Sequence, residues 1–88
     1  MLIINKNILK KLKAISHEER LNILKTLIKE PTCVCELNKN SNYSQPNLSK
    51  HLKILKDADI IDYKKEGNKV IYFIIDKKII EVLKILSI

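Results

Sequence analysis

The sequence is poor in the residues that form flexible loops and phosphate-binding loops. Its 88 residues include one glycine and two prolines, and they contain no linker, no low-complexity tract and no phosphate loop. No apolar run approaches the roughly 20 residues of a transmembrane helix, and the apolar segment 1–4 is too short for the core of a signal peptide. We therefore expect a single cytoplasmic globular domain over residues 1–88.

Cysteine is scarce as well, because the chain has only Cys33 and Cys35. In a cytoplasmic protein both are expected to be thiols. The chain has no Cys-x-x-Cys motif and no nucleophile paired with a base, so we expect that it is not an enzyme. A thiol enzyme or a dithiol metal carrier remains an alternative use of the pair.

Acidic residues are outnumbered, with 10 Asp and Glu against 17 Lys and Arg and a net charge of +7. Residues 1–15 and 44–56 contain lysines and no acid, and residues 64–69 contain three lysines against Glu66. Such a surplus favours a polyanion, either nucleic acid or an anionic membrane surface. Lysines that only keep a surface solvated would explain any one cluster, but three clusters on a small domain favour a polyanionic partner.

Apolar residues at helical spacing predict two helices at the start of the chain. The first spans about residues 5–15. Ser16 and Glu19 form a capping box that opens the second helix, and Pro31 ends it. The buried face of the second helix is predicted to consist of Leu21, Leu24, Leu27 and Ile28.

Two shorter helices are predicted next. Thr32 can cap a helix of about residues 33–39 in which Leu37 faces inward. Ser44 opens a fourth helix, where Pro46 is tolerated because it falls in the first turn. The inner face of the fourth helix is predicted to be Leu48, Leu52 and Leu55, and residues 57–59 end the helix.

The apolar pattern then changes to the alternation of strands. Residues 61–64 alternate, Gly67 lies at the centre of a hairpin turn, and residues 70–75 form the return strand. Asp76 caps a last helix of about residues 77–86. The chain is therefore predicted to be mainly α with a β-hairpin, in the order α-α-α-α-β-β-α.

A helix-turn-helix followed by a hairpin with a basic tip is a winged helix-turn-helix. The helix-turn-helix is predicted at residues 32–57 and the hairpin, or wing, at residues 60–75. With Leu48, Leu52 and Leu55 inside, lysines and short polar side chains of the fourth helix point outward. Gln and Asn can pair bidentately with adenine, and lysines and a helix N-terminus bind phosphates.

These features nominate one set of DNA-binding residues. An ordinary amphipathic surface helix is the alternative, and the hairpin directly downstream argues against it. His51 can be either a structural side chain with a polar partner or a phosphate donor. The candidate residues are Ser44, Gln45, Asn47, Ser49, Lys50, His51 and Lys53 in the fourth helix, and Lys64, Lys65, Asn68 and Lys69 in the wing.

The chain resembles a known family at these residues. Residues 44–58 resemble the recognition helix of the ArsR/SmtB-type winged-helix repressors, residues 15–24 resemble the opening of their second helix, and residues 60–74 resemble their wing. The resemblance implies a homodimeric repressor that binds double-stranded operator DNA and releases it when an effector binds. One departure is Asp59, where the family usually has glycine; aspartate tolerates the left-handed conformation better than most residues.

Cys33-Val34-Cys35 resembles the segment with which arsenic- and cadmium-type members bind soft metals. Thiolates prefer soft ions, so As(III), Cd(II) or a similar thiophilic ion is the candidate effector. Two residues apart on a regular helix, the side chains point about 200° from each other, so both sulfurs reach one ion only if the first turn unwinds. Asn38 stands where arsenical sensors often have a third thiolate, and the last helix has no histidine.

Other interpretations remain open for the cysteines and for the domain. The thiols can respond to oxidation, since a disulfide between such near neighbours would be easily reduced. They can also be two small buried side chains without a further role. The domain as a whole can be a winged helix that contacts protein or RNA, and this alternative predicts no salt-sensitive duplex binding.

The first and last helices have more apolar residues than one small core needs. Seven of the ten residues 79–88 are apolar and cover nearly the whole circumference of the last helix, so one face would form an exposed patch. The chain is therefore predicted to form a homodimer, with residues 1–15 and 76–88 as its interface. The candidate interface residues are Ile4, Ile8, Leu12, Ile79, Ile80, Leu83 and Leu86.

Overall fold

A computed structural model describes residues 4–39 and 45–87 of the chain, with the side chain of Gln45 excepted. No helix in this part of the chain is long and apolar enough to cross a membrane. The predicted order of helices and hairpin is confirmed, with one strand added. The elements are α1 (Lys6–Ile15), α2 (Glu18–Lys29), β1 (Thr32–Cys33), α3 (Val34–Lys39), α4 (Gln45–Asp57), β2 (Ile61–Glu66), β3 (Lys69–Ile74) and α5 (Lys77–Leu86).

The predicted wing is the hairpin of β2 and β3. The two strands pair antiparallel from Ile61 opposite Ile74 to Glu66 opposite Lys69, which leaves a two-residue turn. Gly67 is the first turn residue and has φ of +61°. Hairpin turns of type II′ place glycine at this first position because the backbone there needs a positive φ.

The added strand β1 corrects the prediction for the third helix. Thr32 pairs with Tyr72 and Cys33 pairs with Ile71, so β1 extends the hairpin to a three-stranded sheet in the order β1-β3-β2. Pairing with β3 holds these two residues in an extended conformation. The third helix therefore begins at Val34 rather than Cys33, and Thr32 is not its cap.

The predicted capping box between α1 and α2 is wrong. The Ser16 N–H donates to the Lys13 carbonyl at 3.3 Å and so closes α1. The N-cap of α2 is His17, whose Nδ1 accepts the Glu19 N–H at 3.3 Å. Because Ser16 serves as the C-cap of α1, the next helix begins one residue later than the box requires.

The core forms where α2 and α4 pack with the start of the wing. Its fully buried large side chains are Leu24, Leu48, Leu52, Leu55, Ile60 and Ile61. The predicted inner face of α4 is thus confirmed. On α2 the buried residues are Ile23, Leu24 and Leu27, whereas Leu21 is 39% exposed and Ile28 is half-buried. These two residues lie on the side of α2 that faces α5, where they line a groove between the two helices.

Asp76 connects α5 to α1. Its Oδ1 accepts the N–H groups of Lys78 (2.9 Å) and Ile79 (3.3 Å), which confirms the predicted cap. Its Oδ2 forms an ion pair with Lys11. Burial alone would raise the pKa of Asp76, but the Lys11 ammonium and the two backbone donors hold it below its usual range. The cap also directs Ile79 into the core of its own chain, where it is 6% exposed, so little of this predicted interface residue is left to face a partner.

Asp59 provides a test of the turn between α4 and the wing. Its φ of +58° is left-handed, a conformation that costs an L-residue about 1–2 kcal/mol. Asp59→Gly is expected to raise the free energy of unfolding by up to about 1 kcal/mol, since the flexibility of glycine in the unfolded chain offsets part of the gain. Asp59→Ala is expected to lower it by about 1 kcal/mol. Urea unfolding followed by circular dichroism measures both; equal stabilities would mean that the left-handed turn is absent in solution.

Candidate nucleic-acid interface

The outward face of α4 is polar and basic. Asn47, Ser49, Lys50 and Lys53 are exposed, while the three leucines between them are fully buried. The helical period separates the two sets, so burying the leucines fixes which side chains point outward. Ser44 and the side chain of Gln45, both predicted to contact DNA, lie outside the described residues.

Lys53 is held by a neighbour on the same face. Its Nζ donates to Asp57 Oδ2 at 2.8 Å, and both side chains are exposed. This hydrogen bond from Lys53 is the main reason that the pKa of Asp57 is lowered. Exposed pairs of this kind are weak, so a phosphate can replace the carboxylate as the partner of Lys53.

The wing presents the second group of predicted residues. Lys64, Lys65, Asn68 and Lys69 are all exposed at or near the hairpin turn. Lys64 lies 3.1 Å from Glu66 in an exposed ion pair. The wing therefore offers lysines and an amide to a ligand, as its sequence predicted.

A tyrosine pair in the wing contacts a lysine of α4, and neither contact was predicted from the sequence. The rings of Tyr63 and Tyr72 pack with their centroids 5.5 Å apart, and Lys56 Nζ lies 5.6 Å from the centroid of Tyr63. Burial, followed by the neighbouring Tyr63 and Asp62, raises the pKa of Tyr72. Lys56 lies within the acid-free segment 44–56, and that was the signal that could have placed it among the candidates.

A cleft of about 560 Å³ separates α4 from the wing. We call it the α4–wing cleft. Lysines from both sides line it, and the cysteine-containing segment of β1 and α3 lines it as well. Its polar and charged lining residues include Ser49, Lys53, Lys56, Asn68 and Lys69, and the cysteines are Cys33 and Cys35. The predicted effector segment thus shares a cleft with predicted DNA-binding residues.

The two cysteines are joined as a disulfide, against the expectation of free thiols. Cys33 lies in β1 and Cys35 in the first turn of α3, with their Cα atoms 5.3 Å apart. The sulfurs therefore meet without unwinding of α3, because only one of the two residues is helical. The Glu36 N–H donates to Cys33 Sγ at 3.3 Å, which further anchors this sulfur at the start of the helix.

His51 faces inward, on the same side of α4 as the leucines. It is 8% exposed, its Nε2 lies 2.9 Å from Glu19 Oε2, and its Nδ1 lies 3.4 Å from an Arg20 nitrogen. Burial is the main cause that lowers the pKa of His51; His17 and Arg20 also lower it, against Glu19. These contacts correspond to the structural interpretation of His51 and remove it from the exposed basic face.

Comparison with known proteins finds similarity over the helix-turn-helix and the start of the wing. A family model described as bacterial regulatory protein, arsR family, matches residues 17–63. An uncharacterized HTH-type transcriptional regulator of Methanocaldococcus jannaschii is 39% identical over 76 residues, which cover 85% of each chain. The arsenical resistance operon repressor of Staphylococcus xylosus is 41% identical over 61 residues, or 69% of this chain. The matched segment spans 59% of that repressor.

Solved structures share the fold over nearly the whole chain. HlyU from Vibrio cholerae superposes with a TM-score of 0.84 at 31% identity and 94% coverage of both chains. A homodimeric winged helix-turn-helix DNA-binding domain from Mycobacterium bovis, described as a possible ArsR-family regulator, superposes with a TM-score of 0.84 at 20% identity. That superposition covers 92% of this chain and 75% of the other, and it supports the winged helix-turn-helix fold.

Proposed function

The chain belongs to the arsR family of bacterial regulatory proteins and is a DNA-binding transcriptional regulator, and we propose that it acts as a homodimeric repressor that an effector releases from its operator. The observation that carries this proposal is the basic face of α4 beside a lysine-tipped wing. Both face solvent, and the cleft between them has lysines on either side.

In the proposed complex α4 lies in the major groove, and its N-terminal half makes the base contacts. Asn47, with Gln45 two residues before it in the first turn of α4, reads adenine edges through bidentate hydrogen bonds. Lys50 and Lys53 contact phosphates, and the wing adds further phosphate contacts through its lysines. Residues 32–57 then act as the helix-turn-helix and residues 60–75 as the wing of a single domain.

Substitutions on α4 and on the wing are expected to have different effects on DNA binding. Asn47→Ala should reduce discrimination between operator and unrelated duplex by about 1–3 kcal/mol, because it removes a base contact. Lys69→Ala should weaken binding to every duplex and reduce the dependence of affinity on salt, because it removes a phosphate contact. Gel shifts over a salt series, with operator candidates and unrelated duplex, measure both effects.

Lys25→Ala is the matched control for Lys69→Ala. It removes the same charge from an exposed position of α2 that lines the groove toward α5 rather than the α4–wing cleft. Equal weakening by the two substitutions would show that only net charge matters. A parent protein that binds single strands as well as duplex would contradict the proposal altogether.

The homodimer is proposed from apolar residues that the fold leaves exposed. Ile85 and Leu86 are each 71% exposed at the end of α5, and Ile4 is 76% exposed before α1. Ile8, Leu9 and Leu12 continue this apolar surface along α1, and Val82 continues it along α5. Of the other predicted interface residues, Ile80 is half-buried and Leu83 packs partly against the core.

A two-fold pairing of α1 and α5 would cover this surface. The structurally similar domain from Mycobacterium bovis is described as homodimeric. Such a pairing would also set two copies of α4 about one turn of DNA apart, roughly 34 Å, to read a palindromic site.

The dimer can be tested by charging the exposed end of α5. Ile85→Glu with Leu86→Glu should give a monomer of half the parent mass with more than about tenfold weaker operator binding, because two carboxylates cannot be buried in an apolar interface. Both side chains lie outside the core, so the monomer should stay folded. Sedimentation at micromolar concentration and circular dichroism measure mass and folding. A parent protein that sediments as a monomer would disprove the proposal.

The proposed effector site is the cysteine pair. In the reduced protein the two thiolates bind a thiophilic ion such as As(III), consistent with the similarity to an arsenical resistance operon repressor. The nearness of the two sulfurs, which are joined as a disulfide in this structure, supports the proposal that the reduced pair can reach one ion. Two thiolates are an incomplete ligand set, so an exogenous thiol, water or another side chain completes it. An ion bound by these cysteines, which line the α4–wing cleft, would alter how α4 and the wing face DNA.

A second mode of release uses the disulfide itself. Cys33 belongs to a strand paired with the wing, and Cys35 belongs to α3. Forming or breaking their bond therefore alters the link between the wing and the helix that precedes α4. In this mode an oxidant acts without a metal ion.

The two modes predict different responses of operator binding. As(III) added to reduced protein should weaken binding by about 5–150-fold, the usual range of allosteric coupling, and should leave Cys33→Ser with Cys35→Ser unaffected. Fluorescence anisotropy of labelled operator measures this. A mild oxidant applied without As(III) tests the disulfide. If the double variant responds to both agents as the parent does, neither mode is correct.

A further inference from the structure

A second cluster of metal-ligating side chains lies outside the α4–wing cleft. His17 and Glu19 come from the start of α2, and His51 comes from the middle of α4. One ligand atom from each lies within 4.8 Å of the other two. We propose that these three residues form a binding site for a divalent cation of the Zn²⁺ type, separate from the cysteines.

Two of the three donor separations are close to those of a tetrahedral site, and all three donor atoms lie within 4.8 Å of one another, so the histidines have to move closer together around an ion. Glu19 Oε2 lies 2.9 Å from His51 Nε2 and 3.5 Å from His17 Nδ1. Zinc bonds of about 2.1 Å in tetrahedral geometry separate neighbouring ligands by about 3.4 Å. Two imidazoles and one carboxylate form a ligand set that zinc uses when its fourth position is left to water.

The surroundings leave one side of the cluster accessible to ions. His17 and Glu19 are half-buried at the surface, whereas His51 is buried behind them. The rings of His17 and His51 have their centroids 4.8 Å apart, so both already face the carboxylate. Glu18 and Glu19 place two negative charges in the first turn of α2, where they oppose the positive end of the helix dipole.

Each imidazole exchanges an existing hydrogen bond for the ion. His17 Nδ1 accepts the Glu19 N–H at 3.3 Å, and an ion bound at Nδ1 replaces this long hydrogen bond. His51 Nε2 exchanges its contact with Glu19 Oε2 at 2.9 Å for the ion. Arg20 only donates, and its contact with His51 Nδ1 is long at 3.4 Å. When Nε2 binds the ion, the remaining His51 proton is carried by Nδ1, so the Arg20 terminal nitrogen has to move away from Nδ1. Arg20 Nε can keep its hydrogen bond to the Ala14 carbonyl at 2.7 Å.

The consequence is a link between two helices. An ion held by these residues ties the first turn of α2 to the middle of α4, which otherwise meet through buried leucines. Because the unfolded chain does not bring His17 and His51 together, binding is coupled to folding. The ion should therefore raise the melting temperature, because the free energy of unfolding rises with the logarithm of one plus the ratio of ion concentration to Kd.

The experiment uses full-length protein with Cys33→Ser and Cys35→Ser, so that thiolates bind no ion. Zn²⁺ is titrated by calorimetry, and the melting temperature is measured with and without Zn²⁺. We expect one ion per chain and a higher melting temperature. In the same background His17→Asn, which keeps an N-cap side chain, and Glu19→Gln should each weaken Zn²⁺ binding at least tenfold. His51→Gln should do the same.

The two α2 variants decide the outcome, because their side chains lie at the surface and the substitutions leave the core intact. If the parent background binds no Zn²⁺, the site does not exist. If either His17→Asn or Glu19→Gln keeps the parent affinity, the ion is bound elsewhere and the proposal is overturned. Operator binding is not needed for this result, so failure of the repressor proposal would leave it unaffected.

Discussion

Burial of one face of α4 is the constraint on which the rest of the structure depends. Leu48, Leu52 and Leu55 are 0–1% exposed, and losing any one of them would leave a cavity costing about 2–5 kcal/mol. Their packing fixes the rotation of α4 about its axis. The lysines and the asparagine on the opposite side are exposed as a consequence, without needing contacts of their own.

The same packing also fixes which side chains of α4 face α2. His51 lies on the leucine side, and its polar edge is satisfied by Glu19 and Arg20 from α2. A buried imidazole needs such partners, because an unsatisfied polar group in the core is costly. The α2–α4 contact is therefore partly polar, and its polar edge is where two histidines and a carboxylate meet.

The short strand β1 gives the cysteine segment its mechanical connection to the wing. Only two residues pair with β3, yet they place Cys33 beside the hairpin and Cys35 at the start of α3. The helix-turn-helix and the wing are consequently joined through residues that line the cleft between them. This connection is the route by which the proposed effector site at the sulfurs would act on both elements that are proposed to contact DNA.

The sequence by itself determined the helices, the hairpin and the inner face of α4, because these follow from the 3.6-residue period, the strand alternation and the turn preference of glycine. It also determined the exposed lysines of α4 and the wing, since charged side chains stay in water. Only the tertiary structure decided features that need a partner from elsewhere in the chain. Cys33 is a strand residue because β3 pairs with it, Leu21 is exposed because α2 turns it toward α5, and Ile79 is buried because the Asp76 cap directs it into the core. His17 and His51 are 34 positions apart in the numbering, and no local period relates them. They meet because the leucine packing brings α2 against α4, and that contact depends on shape and volume rather than on any spacing along the chain.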